Sequence, residues 1–403
     1  MDTSNLMSSV EKSCAKIRKQ IENHGVYPIV FEQLLAKVRI AIQKLSKEQT
    51  PASICQLGKI IYHLGMIDKS NCDHYFKLAF DFFEKAANEH YLPALRNLGE
   101  CYLEGEGVEK DTEKGLDYLK RAFSAGDTES GIELSMYYFF GVAVKKDLEV
   151  SLKYLSDAAK TGNPNALFHM GLYYYSLDDF EAALTWFQRG ADAGSAGAMY
   201  SLGVLCLYGK GVEKDTNKAL SLFVQSAAKD NADACYILAM MYIDGWYSID
   251  KNETEGLSYL QKAMALGSEK ALEKYGELLI EGLLVPKDVN CGVNALSYAA
   301  ECGSENAKLA LIDFYLSSSE ETEEKYKKAF HWLNMLKDKD EPQIQCIIAL
   351  MYLKGAGTEK DVEKGVKLLK KYIAADDTSL QEMLDHLDDV DDLEDLWKTL
   401  RLP

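Results

Sequence analysis

Apolar and polar positions along this chain follow a helical period, and the pattern restarts every 32 to 37 residues from residue 94 onward. The fullest copy reads Leu98-Gly99-x-x-Tyr102-x-x-Gly105-x-Gly107-Val108-x-x-Asp111. It returns from Leu134, Met170, Leu202, Leu238, Tyr275, Leu311 and Ile348, and a worn copy starts 41 residues before Leu98, at Leu57. Nine copies occupy residues 51–377. Self-similarity of this kind marks a stacked-repeat architecture, in which a unit buries its apolar face only against its neighbours.

Each copy predicts two helices. The first runs from a small residue (Ala94, Ser130, Ala166, Ala198, Ala234, Ala271, Ala307) through the Leu and Tyr positions, which lie four apart and share one face. The Gly-x-Gly-Val segment stops it, because glycine enters the left-handed region without a Cβ penalty. The Asp at 111, 147, 215, 288 or 361 is placed to cap the second helix. That helix carries a stripe of apolar and small residues, as in Leu116, Leu119, Ala122 and Phe123. Pro28, Pro51, Pro93, Pro164, Pro286 and Pro342 all fall at predicted boundaries.

Residues 94–115 and 198–219 closely match the pattern Ala-x-x-x-Leu-Gly-x-x-Tyr-x-x-Gly-x-Gly-Val-x-x-Asp-x-x-Lys-Ala. The chain thus resembles the Sel-one-like repeat family, relatives of the tetratricopeptide repeat. The resemblance covers about four fifths of the chain. It implies an all-α, right-handed α/α superhelix (solenoid) of about nine repeats, acting as a non-catalytic scaffold or adaptor that binds protein partners. Three copies depart from the pattern. The fourth shortens its loop to Ser176-Leu177-Asp178-Asp179, the eighth replaces its glycines with Ser317–Glu321, and the first has an insertion around Asn71–Tyr75.

Tetratricopeptide geometry implies three inward positions per repeat: two before the Leu position, two after it and five after it. These positions assign Met136, Phe139, Phe168, Leu172, Tyr175, Tyr200, Val204, Tyr236 and Met240 to a concave, apolar groove. Arg96 and Glu100 flank it on one side and Glu273 and Glu277 on the other. An apolar patch rimmed by charge suits an amphipathic helix or an extended peptide. The competing reading is that repeat curvature buries these side chains.

Charge narrows the partner. The 45 basic and 63 acidic residues give a net −18, which argues against nucleic acid or an anionic membrane and favours a basic partner segment. Residues 1–50 carry +3 and an amphipathic stripe (Phe31, Leu34, Leu35, Val38, Ile42, Leu45), predicting an N-terminal helical cap. Residues 376–403 carry −8 with apolar residues at helical spacing, predicting an acidic capping helix over 378–403 or a docking segment for a basic partner. No secretory signal and no membrane-length apolar run is visible. With nine irregularly spaced cysteines, the expected setting is a reducing cytoplasm. A monomer is favoured.

No cofactor, metal or catalytic residue is assigned. The Gly-x-Gly segments do not continue into Gly-Lys-Ser/Thr and recur in the repeat frame, so they read as helix stops. Cys55, His63, Cys72 and His74 lack paired zinc spacing. Three other roles stay open: an inhibitory or immunity-type protein clamping a basic toxin or enzyme, a secreted effector, and self-assembly.

Overall fold

The computed structural model describes residues 50–67, 72–317, 322–336 and 341–372, with Ile40, Gln43 and Lys47 the described positions before them. The predicted caps over 1–50 and 378–403, and most of the altered eighth loop, lie outside the described residues. Among those described, the secondary structure is eighteen α-helices and one short 3-10 turn. The helices come as nine consecutive pairs, one for each sequence repeat.

The chain divides into two units, with the boundary in sequence between Ser268 and Glu269. The first holds α1 (Pro51–Ile67), α2 (Cys72–Asn88), α3 (Leu92–Glu104), α4 (Thr112–Ser124), α5 (Thr128–Phe140), α6 (Leu148–Ala159), α7 (Pro164–Ser176), α8 (Phe180–Asp192), α9 (Ala196–Tyr208), α10 (Thr216–Ala227), α11 (Ala232–Asp244) and α12 (Glu253–Ala265). The second holds α13 (Glu269–Glu281), α14 (Val289–Glu301), α15 (Glu305–Ser317), α16 (Glu323–Leu336), α17 (Pro342–Lys354) and α18 (Val362–Tyr372).

The repeat phrase explains each pair. Gly105, Gly141, Gly209 and Gly355 close their helices in the left-handed conformation, at φ of 78°, 73°, 68° and 71°. Each backbone N–H donates to the carbonyl four residues back, removing one orphan acceptor. The predicted aspartates cap the next helix: Asp111, Asp215, Asp288 and Asp361 accept from the backbone N–H three residues on at 2.9–3.0 Å. Their own N–H groups donate back across the loop, Asp111 to Tyr102, Asp215 to Cys206 and Asp361 to Tyr352, each at 2.9 Å. A loop of seven residues, from stop glycine to capping aspartate, is thereby tied at both ends.

The second glycine of the phrase has a different task. Gly211 is also left-handed (φ 67°), but a Cβ there would lie 2.7 Å from the Phe180 carbonyl oxygen. The loop therefore rests on the first turn of the preceding repeat's second helix. The glycine of the Leu-Gly pair likewise admits the partner helix: a Cβ at Gly203 would meet the Phe223 ring at 2.7 Å. Small residues keep the backbones close, and the Leu position fills the space between repeats. Ala94, Ala166, Ala198, Ala234, Ala271 and Ala307 have no exposed surface, and Leu134, Leu238 and Leu311 are sealed with them.

Candidate functional site

The expected groove residues all lie on the first helices of repeats three to six, within the first unit. The structure distributes them unevenly. Met136 and Leu172 are exposed, at 42% and 36%. Phe139, Phe168, Tyr175, Tyr200, Val204 and Tyr236 are half-buried. Met240 is sealed at 1%, so it cannot present a surface to a partner, and its assignment to the groove is corrected. The reason is local: α11 buries Ala234, Cys235, Leu238, Ala239, Met240, Met241 and Ile243, which surround the helix rather than form one stripe.

The half-buried aromatics are pinned from behind. Phe168 lies against Phe187 of α8, with ring centroids 6.1 Å apart, and Tyr200 against Phe223 of α10 at 5.6 Å. Phe139 meets Tyr173 edge-on at 5.6 Å, while Tyr175 meets Phe180 at 5.3 Å. The Lys210 ammonium donates to the Tyr175 hydroxyl at 3.2 Å and lies over the Phe180 ring. Burial pushes the Tyr200 hydroxyl up to about 12, which keeps it neutral. These rings are half-buried, each packed against a neighbouring aromatic ring.

The structure adds residues that the three-position rule missed. Phe140 (66% exposed) and Tyr208 (56%) stand just before the stop glycines of α5 and α9. At the same position the other glycine-stopped repeats carry Glu104, Asp244, Glu281 and Lys354, and repeats four and eight carry Ser176 and Ser317. The signal was in the sequence: an aromatic residue replaces a charged one before the stop glycine in repeats three and five. Val142, Leu177 and Trp246 are exposed in the loops that follow α5, α7 and α11. Two of the 3-10 turn residues beside Trp246, Tyr247 and Ser248, take φ of 58° and 63°, and the Tyr247 hydroxyl is 2.8 Å from that of Tyr208.

Toward the N-terminal end the same helix face becomes charged. Arg96 on α3 donates to Asp127 at 3.0 Å, and its Nε lies 3.4 Å from Glu133 of α5. Glu129 of α5 accepts from the side-chain amides of Asn163 and Asn165 at 3.2 and 3.1 Å. Burial, then the charge of Glu100 and a hydrogen bond to it, raises the Glu133 carboxyl far above the carboxylate range, against the opposing pull of Arg96. Tyr62 and Tyr137 are pushed up by burial, with hydrogen bonds to Glu106 and Glu104 adding to it. Arg96 and Glu100 are thus half-buried members of a network. Glu273 and Glu277 belong to the second unit. There Glu273 accepts from the Ser304 hydroxyl at 2.6 Å, and Glu277 lies 3.5 Å from the Lys274 ammonium.

Paired helices with glycine-stopped first members, stacked in register, define a helical-repeat protein of the tetratricopeptide-like class. Within that class, the Sel1 repeat family model matches residues 51–91, 92–127, 232–268, 306–340 and 344–377, and a model of plant tetratrico peptide repeats matches 139–235. The chain belongs to the Sel1-like repeat family. It is 26% identical over 209 residues to the chitin synthase regulator SKT5 of Saccharomyces cerevisiae, covering 49% of this chain and 30% of that protein. The matches span about a third of the length of such curated relatives. A Sel1 repeat protein from Oxalobacter formigenes superposes with a TM-score of 0.50 at 26% identity, over 62% of this chain and 99% of that one. A protective antigen of uropathogenic Escherichia coli with the same repeat fold gives 0.50 at 22% identity, over 83% and 79%. Repeats of this kind bind protein partners, and the fold is typically non-catalytic. No helix among the described residues is long and apolar enough to cross a membrane.

Proposed function

We propose that the chain is a non-catalytic adaptor, and that the first-helix face of repeats three to six binds an amphipathic segment of a partner protein. The observation that carries this is the run of exposed apolar side chains on that face. Met136 and Phe140 on α5, Leu172 on α7 and Tyr208 on α9 are each exposed by a third or more, over a floor of half-buried aromatics. A helical stack exposes such a run at a cost in solubility unless something covers it. Tyr, Phe and Met are also the side chains enriched at the centres of interfaces. The carboxylates of α3 and α5, with the net −18, favour a segment carrying basic residues.

The test uses the exposed positions, because Phe168 and Tyr200 pack against Phe187 and Phe223 and their replacement would disturb the fold. The native chain and a Met136→Glu/Leu172→Glu variant of equal helicity are used side by side to capture proteins from native lysate. A protein held by the native chain and lost by the variant supports the reading. Equal recovery by both rules out this face as the binding surface. If the captured protein is an enzyme that loses activity on binding, the role is inhibitory rather than adaptor.

A further inference from the structure

Resting on the adaptor reading, we propose that the cavity between α1, α3 and α5 is the subsite for a lysine or arginine side chain of the bound segment. It would fix the segment's direction along the stack. The cavity encloses about 310 Å³ and is lined by Tyr62, Asn97, Glu100, Glu129 and Glu133 among others.

Three independent features point to a cationic occupant. The first is the donor balance. Glu100, Glu129 and Glu133 line the cavity, while its cations are Lys59 and Arg96, with His63 beside them. Arg96 is already committed to Asp127 and Glu133, and Glu129 to two asparagine amides.

The second is a deficit of donors. In the cavity wall, the Oε2 atom of Glu133 is closed off from solvent and has no hydrogen-bond partner. A buried acceptor without a donor loses its hydration and gains nothing in return. A guanidinium or ammonium head brings several donors on an apolar stem, and the stem can lie against Tyr62 and Phe83.

The third is continuity with the apolar face. Glu129, Glu133, Met136 and Phe140 are spaced four, three and four apart on α5, so they form one stripe of the same helix. The stripe passes from two carboxylates in the cavity to two exposed apolar side chains. A segment lying on Met136 and Phe140 can therefore place a basic residue one to two turns further on into the cavity. Among the described residues no three His, Cys, Asp or Glu side chains are grouped to hold a metal ion, so an organic cation is the occupant assigned.

The test uses n-butylguanidinium and n-butylammonium as side-chain probes and n-butanol as the uncharged control. Binding to the full chain is read by fluorine NMR of 3-fluorotyrosine-labelled protein, with Tyr62 assigned through Tyr62→Phe. Both cations are expected to shift the Tyr62 signal saturably, and butanol is not. Glu100→Gln/Glu133→Gln is expected to weaken cation binding at least tenfold. Glu133→Gln alone, near-isosteric with the protonated acid, guards against a folding artefact and should weaken it less. Leu309→Glu, at an exposed position of α15 in the second unit, should leave it unchanged. No saturable shift in the native chain overturns the assignment, as does an equal response to butanol or an undiminished response in the double variant. Loss of the cation response while partner capture still depends on Leu172 removes the cavity proposal alone. Capture that ignores Leu172 while the cations still bind removes the groove reading alone.

Discussion

Gly209 and Gly211 provide a measurement of what holds one repeat to the next. Their backbone torsions are nearly the same, at φ of 68° and 67°, so alanine at either should carry the same left-handed penalty of about 1 kcal/mol. Their surroundings differ. A Cβ at Gly209 would have Lys214 Cβ as its nearest neighbour, at 3.3 Å, a contact that a small shift relieves. A Cβ at Gly211 would lie 2.7 Å from the Phe180 carbonyl oxygen and 2.8 Å from its carbon, and helix backbone cannot step aside alone. Lifting the loop off α8 is an overpacking change, typically costing a further 1–3 kcal/mol. Gly209→Ala should thus cost about 1 kcal/mol and Gly211→Ala about 2–4 kcal/mol. Gly162→Ala, with φ of 75° and nothing within 4 Å of its Cβ, supplies the torsion-only reference. Urea unfolding followed by far-ultraviolet circular dichroism compares all three. Hydrogen exchange at the start of α8 should quicken only in Gly211→Ala. If Gly211→Ala costs no more than Gly209→Ala, the loop does not bear on the preceding repeat, and the account of the second glycine is wrong.

Further expectations concern caps, buried charge and pH. Asp215→Ala removes the oxygen that accepts from the Lys218 N–H at 2.9 Å and should destabilise the chain by about 1 kcal/mol in chemical denaturation, with Asp215→Asn recovering most of it. Arg96→Ala leaves Asp127 and Glu133 without their shared cation, where both side chains of the Arg96–Asp127 pair are only 11% exposed. It should cost about 3 kcal/mol, more than Arg96→Ala combined with Asp127→Asn, which a double-mutant cycle would reveal. Burial, with Glu100 beside it, raises the Glu133 carboxyl in the folded chain, so folding favours a proton there that the unfolded chain releases above the ordinary carboxylate value. Its stabilising contribution is complete at acid pH and declines as pH rises above that value. Glu133→Gln should consequently be relatively more stable than the native chain as pH rises from about 4.5, with the two converging in acid. Parallel pH profiles for the two proteins would contradict that burial effect.

What the chain's sequence determined by itself is everything that depends on local periods and special residues. Nine repeats, two helices in each, the stop at the first glycine and the cap at the following Asp are short-range matters, and the structure reproduces them at Gly105, Asp111, Gly355 and Asp361. The family pattern also assigned the candidate face to the first helices of repeats three to six. Exposure at single positions was not legible, because it depends on what the neighbouring helices bring. Met240 occupies the same repeat position as Met136, yet one is sealed and the other open, since α11 is apolar around its whole circumference and α5 is not. Phe140 and Tyr208 escaped the three-position rule although the change from charged to apolar before the stop glycine was there to read. The glutamate cavity could not be read at all. Tyr62, Glu100 and Glu133 lie on three different helices, 71 positions apart from first to last, and only the stacking of the repeats sets them around one space. Periodicity dictates which way a residue faces on its own helix, whereas burial, pairing and the withholding of a proton depend on the dielectric and the partners that tertiary packing supplies.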